Sequence, residues 1–145
     1  MPGQRSRTYK LQLSVEGMQL FLRCHCRLCR VVGDFLPYGT TLLIAASAFC
    51  RVDAEAAASR LLEPAQARFG GKIIRFVGTS PNLAVIVKEI GRKLTTNYAV
   101  HPAPQVWKIF NVSLAHMDEM TDREIVREFK LFLSRADVRQ SAFEK

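Results

Sequence analysis

Strict alternation of apolar and polar residues at the front of the chain is the pattern that most restricts its fold. Tyr9, Leu11, Leu13 and Val15 alternate with Lys10, Gln12 and Ser14, which is the period of a strand with one buried face. A second alternation follows Glu16-Gly17 and carries Met18, Leu20, Leu22, Cys24, Cys26 and Leu28. Two such runs around a short glycine-containing break predict an antiparallel hairpin over residues 8–28. Glutamate is an unfavoured first residue for a type I′ turn, so a slightly longer loop competes with the tight one. In the tight register Val15 faces Met18, Leu13 faces Leu20, Leu11 faces Leu22 and Tyr9 faces Cys24. One face of the hairpin is then apolar throughout.

Further along, the apolar run 40–50 (TTLLIAASAFC) reads as a central strand with small residues where another element comes close. Asp53 is placed as an N-cap for an Ala-rich helix over 54–62, which Pro64 ends or kinks. Residues 72–77 (KIIRFV) predict a short strand. Ser80-Pro81 is a helix start, with Leu83, Val87, Ile90 and Leu94 on one face. The β-branched run Val85-Ile86-Val87 also fits a hairpin return, but the pattern through Lys93 is too long for a strand. Residues 106–114 read as a last strand. Thr121 and Glu124 form a capping box for a helix that buries Ile125, Phe129, Phe132 and Leu133.

These elements predict a single α+β domain. Its mainly antiparallel sheet has about four to five strands, with two to three helices packed on one face. A chain of 145 residues, 48% of them hydrophobic, suits one such core. The expected organisation is a basic tail over 1–7, the domain over 8–136 and a second tail over 137–145. The Pro-containing stretch 95–104 joins two parts of that domain.

Enzyme signatures are absent: there is no GxxxxGK[ST], no GxGxxG after a strand, no HExxH and no GxSxG. Asp118, Glu119 and Asp122 cluster before a helix, where acids favour the macrodipole more simply than they bind a metal. His116 reads as a loop residue rather than a ligand, and His101, before Pro102, has no visible partner. Cys24, Cys26, Cys29 and Cys50 could supply thiolates to zinc. No second closely spaced pair follows, however, and buried thiols explain Cys24 and Cys26 as well. Four cysteines are too few for a disulfide scaffold, so reduced thiols are expected. The longest low-charge run, 35–50, is broken by Pro37 and Gly39 and falls short of the roughly 20 residues that cross a bilayer. No apolar segment follows the basic start. The chain therefore reads as soluble and intracellular, with the compartment open.

Charge carries the functional reading. Twenty-one Lys and Arg against thirteen Asp and Glu leave +8, which suits a polyanionic partner. On the second hairpin face the register sets Lys10 across from Arg23, Thr8 from His25 and Ser6 from Arg27, with Phe21 among them and Arg30 beyond. Cations around an exposed aromatic suit single-stranded nucleic acid, phosphates meeting the cations while a base stacks on the ring. Arg123, Arg127 and Lys130 add a basic helical stripe. The function expected is non-catalytic binding of nucleic acid, single-stranded or structured RNA in preference to duplex DNA, as in a ribonucleoprotein subunit. The alternative is an assembly module that docks a protein, an acidic surface included, through its sheet edge or last helix. Trp107, Phe110, Phe132 and Phe143 would then form an apolar patch.

Overall fold

A computed structural model describes residues 7–97 and 103–144. In order they form β1 (Arg7–Leu13), α1 (Val15–Val32), α2 (Tyr38–Cys50), α3 (Ala54–Leu61), a 3-10 turn (Pro64–Phe69), β2 (Ile73–Thr79), α4 (Asn82–Asn97), α5 (Val106–Glu119) and α6 (Asp122–Glu144). The expected sheet of four to five strands is overturned: the described residues are mostly helical, with one two-stranded antiparallel sheet among them, β1 on β2. The tail up to residue 6 and His101 lie outside the described residues, as does the side chain of Phe143. Residue 137, the expected start of a C-terminal tail, falls within α6.

Three expected strands are helices, and each has a physical cause. Residues 18–28 belong to α1 because the alternation there contains a second period. Leu20, Cys24 and Leu28 recur every four residues, a spacing common to strand and helix. The odd-numbered Gly17 and Phe21 are buried with them, whereas Leu22 is 43% exposed. That stripe is helical. Ser14 caps it, its Oγ accepting from the Gly17 amide at 3.0 Å. Residues 40–50 lie in α2, which is apolar on every side because it sits at the centre, packed on α4, α5, α6 and β2. A continuous apolar run has no periodicity to read, and its length and three alanines suit a helix. Residues 106–114 lie in α5, where Ile109, Phe110, Val112 and Leu114 are almost fully buried.

Other expectations hold. Asp53 caps α3, its Oδ1 accepting from the Ala56 amide at 3.0 Å. Leu83, Val87, Ile90 and Leu94 are the buried stripe of α4. Thr121 and Glu124 exchange their reciprocal bonds, both at 3.1 Å, at the start of α6. β1 and β2 are strands, but they pair with each other, in the register Thr8–Gly78, Lys10–Phe76 and Gln12–Ile74 on one face and Tyr9–Val77, Leu11–Arg75 and Leu13–Ile73 on the other. Leu11, Leu13 and Val77 turn inward, and the Tyr9 ring meets Phe110 edge-on at 5.2 Å. Apart from Arg75, the exposed residues of the two strands lie on the other face.

Candidate nucleic-acid interface

Residues directly opposite in an antiparallel ladder share a face. The outer face of the ribbon therefore presents Thr8, Lys10 and Gln12 from β1 beside Ile74, Phe76 and Gly78 from β2. Phe76 is 67% exposed and Ile74 45%, and Lys10, across from Phe76, is exposed as well. Neither strand contains an acidic residue. Among the described residues no carboxylate pairs with Lys10, Lys72 or Arg75. One Arg75 nitrogen, Nη1, donates to the neighbouring Ile74 carbonyl at 2.8 Å. Some arginines elsewhere are neutralised: Arg51 by Glu128, Arg60 by Glu119 and Arg92 by Glu89. Unpaired positive charge thus meets an exposed aromatic ring on the ribbon.

The residues singled out on the expected hairpin are dispersed by the helix. Lys10 keeps an exposed position, but its neighbour across the ladder is Phe76, not Arg23. Phe21 is 5% exposed and packs against His25 and Tyr38, so it offers no stacking surface. The Arg23 guanidinium forms a fork with the Asp118 carboxylate at 3.0 and 2.9 Å. Arg27 holds Asp122 at 2.8 Å and the carbonyls of Asp118 and Met120. Both arginines tie α1 to the α5–α6 corner. Arg30, Arg123, Arg127 and Lys130 remain exposed on α1 and α6. The expected aromatic patch does not form: Phe110 is fully buried, and Trp107 and Phe132 are half-buried on different helices.

The cysteines are separated in the same way. Two residues along a helix turn the side chain by roughly 200°, so Cys24 is buried while Cys26 is exposed. Cys29 sits 3.7 Å from His25 Nε2, and Cys50 is on α2. Among the described residues no three His, Cys, Asp or Glu side chains are placed to hold a metal ion. Burial pushes the Cys24 thiol up to about 12, and its Sγ lies 3.4 Å from the Leu114 carbonyl. At about pH 8 iodoacetamide should therefore label Cys26 in the native protein and Cys24 only after urea unfolding. Peptide mass mapping reads both, and equal native labelling would take Cys24 out of the core.

His25 is fixed by Thr41, whose Oγ1 lies 2.7 Å from Nδ1, and burial lowers its pKa. Its ring packs on Tyr38, which with Met18, Leu22 and Phe76 lines an apolar groove of about 220 Å³ between α1 and the ribbon. No helix among the described residues is long and apolar enough to cross a membrane. No family model, curated protein or solved structure matches this chain.

Proposed function

We propose that this chain is a non-catalytic binder of single-stranded or structured RNA, contacted on the outer face of the β1–β2 ribbon. The observation that carries the reading is Phe76, two-thirds exposed directly across from Lys10 on strands free of acidic residues. An exposed ring on a strand is a platform for any base, and unpaired cations beside it meet the phosphates. Lys72, exposed just ahead of β2, adds positive charge at the end of the ribbon, and Arg75 on the opposite face and the remaining exposed arginines add only to the long-range field.

The test is a titration of labelled single-stranded RNA at several salt concentrations. Phe76→Ala should weaken binding by about 1–3 kcal/mol, roughly 5- to 150-fold, and leave the salt slope unchanged. Lys10→Ala and Lys72→Ala should each lower the slope by roughly 0.7, the value for one lost single-strand phosphate contact. Affinity that ignores all three changes rejects the ribbon as the interface. The alternative of protein docking draws on the groove beneath Phe76, whose mouth exposes Leu22 and Tyr38. A partner seated there would bind with little dependence on salt.

A further inference from the structure

Helical folding of the second apolar run sets His25 and Cys29 one turn apart on α1. The Cys29 Sγ lies 3.7 Å from His25 Nε2. On its other side the imidazole presents Nδ1 to Thr41 Oγ1 at 2.7 Å, and Thr41 is fully buried on α2. Tyr38 and Phe21 flank the ring, with centroids 4.5 and 6.3 Å away. The imidazole is thus fixed by a hydroxyl and two aromatic rings, with its second nitrogen towards a thiol. Cys29 itself is half-buried, so part of it stays open to small solutes.

A thiol, a base within reach of it and a group that orients the base are the parts of an activated nucleophile. Burial lowers the pKa of His25, which favours the neutral imidazole, the form able to accept a proton. With the Nδ1 proton donated to Thr41 Oγ1, the Nε2 lone pair faces Sγ. The α1 amides around Cys29 are spent on helical hydrogen bonds, which leaves no pair of donors there for an acyl oxyanion. Two-electron oxidation needs no such donors, only a base for the thiol proton and an acid for the departing oxygen. Cys26 supplies a control on the same helix. It is more exposed than Cys29, but Leu22 stands one turn before it and Arg30 one turn after, so it has no imidazole there.

We infer that Cys29 is a modification site for hydrogen peroxide, with His25 as its base and Thr41 as the residue that positions His25. Sγ attacks one peroxide oxygen while its proton passes to Nε2. The O–O bond breaks as the S–O bond forms, and the second oxygen leaves as hydroxide and takes that proton to become water. Sulfur is oxidised by two electrons to a sulfenic acid, and the peroxide is reduced. The inference does not depend on the ribbon interface.

The full-length protein is pulsed with hydrogen peroxide in the presence of dimedone, and peptide mass mapping reads the sulfenate adduct at each cysteine. Cys29 is followed in a Cys26→Ser background and Cys26 in a Cys29→Ser background, so that neither thiol can close a disulfide with the other. Cys29 should be modified faster than Cys26, against the order of their exposure. His25→Phe keeps a ring against Tyr38, and His25→Asn keeps a partner for Thr41. Each should slow Cys29 by roughly 100-fold, the lower end of what a positioned base contributes, and leave Cys26 unchanged. Thr41→Val should slow Cys29 and Thr41→Ser should not. Valine keeps the packing and serine only the hydroxyl, so loss of packing alone would give the opposite order. The comparison of Cys29 with Cys26 needs no change at His25 and holds even if a replacement there unfolds the chain. The inference is overturned if Cys26 keeps pace with Cys29, or if both His25 variants leave the Cys29 rate unchanged.

Discussion

Gly17→Ala should destabilise the fold by about 3 kcal/mol, the upper end of the range for overpacking, although alanine is the better helix former. A Cβ at Gly17 would stand 2.1 Å from the Phe69 carbonyl oxygen and 3.0 Å from its carbon. The obstacle is backbone, and that backbone is pinned, because the same carbonyl accepts from the Ser14 amide at 3.0 Å. Relief would require moving the 3-10 turn or the start of α1. Gly91 in α4 supplies the contrast, since a Cβ there meets nothing within 4 Å. Gly91→Ala should therefore stabilise by about 0.5–1 kcal/mol through lost unfolded-state entropy and higher helix propensity. Urea unfolding of the two variants measures both signs. A neutral Gly17→Ala would mean that α1 does not touch the turn.

Gly17 also explains how the front of the chain misleads. Glycine beside an acidic residue between two alternating runs has the chemistry of a turn, but here its missing side chain serves close packing inside a helix. The local pattern does contain the evidence for that helix: Phe21 breaks the alternation, and Arg23, Arg27 and Arg30 follow helical spacing. What is not local is the partner of β1. Its mate, β2, lies some sixty residues on, and no pattern within either strand names the other. Capping is the reverse case. The bonds of Asp53 and of Thr121 with Glu124 close within three residues, so they are legible without knowing the fold.

The candidate site divides along the same line. Residues 72–77 are readable as a strand carrying Arg75-Phe76 and no acid, which is the signal that could have directed attention to Phe76. Its exposure is not readable, because it depends on which face of the ribbon the helices cover. Phe21 shows the converse. An aromatic among arginines has the composition of a stacking site, yet Phe21 lies on the buried stripe of α1 while the arginines turn towards acids on α5 and α6.

Arg27→Ala should cost about 2–3 kcal/mol of stability and leave RNA affinity and salt slope unchanged. Its side chain is only 20% exposed and meets the Asp122 carboxylate together with the carbonyls of Asp118 and Met120. Those carbonyls belong to the end of α5 and the turn behind it, where helix geometry leaves acceptors without intrahelical donors. Removing the guanidinium strands several acceptors at once, and unsatisfied part-buried groups cost more than the bonds themselves contribute. Arg23→Ala should cost less, up to about 1 kcal/mol, because the Arg23 side chain is 54% exposed and water replaces its pairing with Asp118. Urea unfolding and the salt-dependent RNA titration, run on the same two variants, separate the roles. Unchanged stability with a slope lowered by roughly 0.7 would mark Arg27 as a phosphate contact and put the interface on α1. Lost stability with an unchanged slope assigns it to the α5–α6 corner, where its guanidinium holds the Asp122 carboxylate and the two carbonyls.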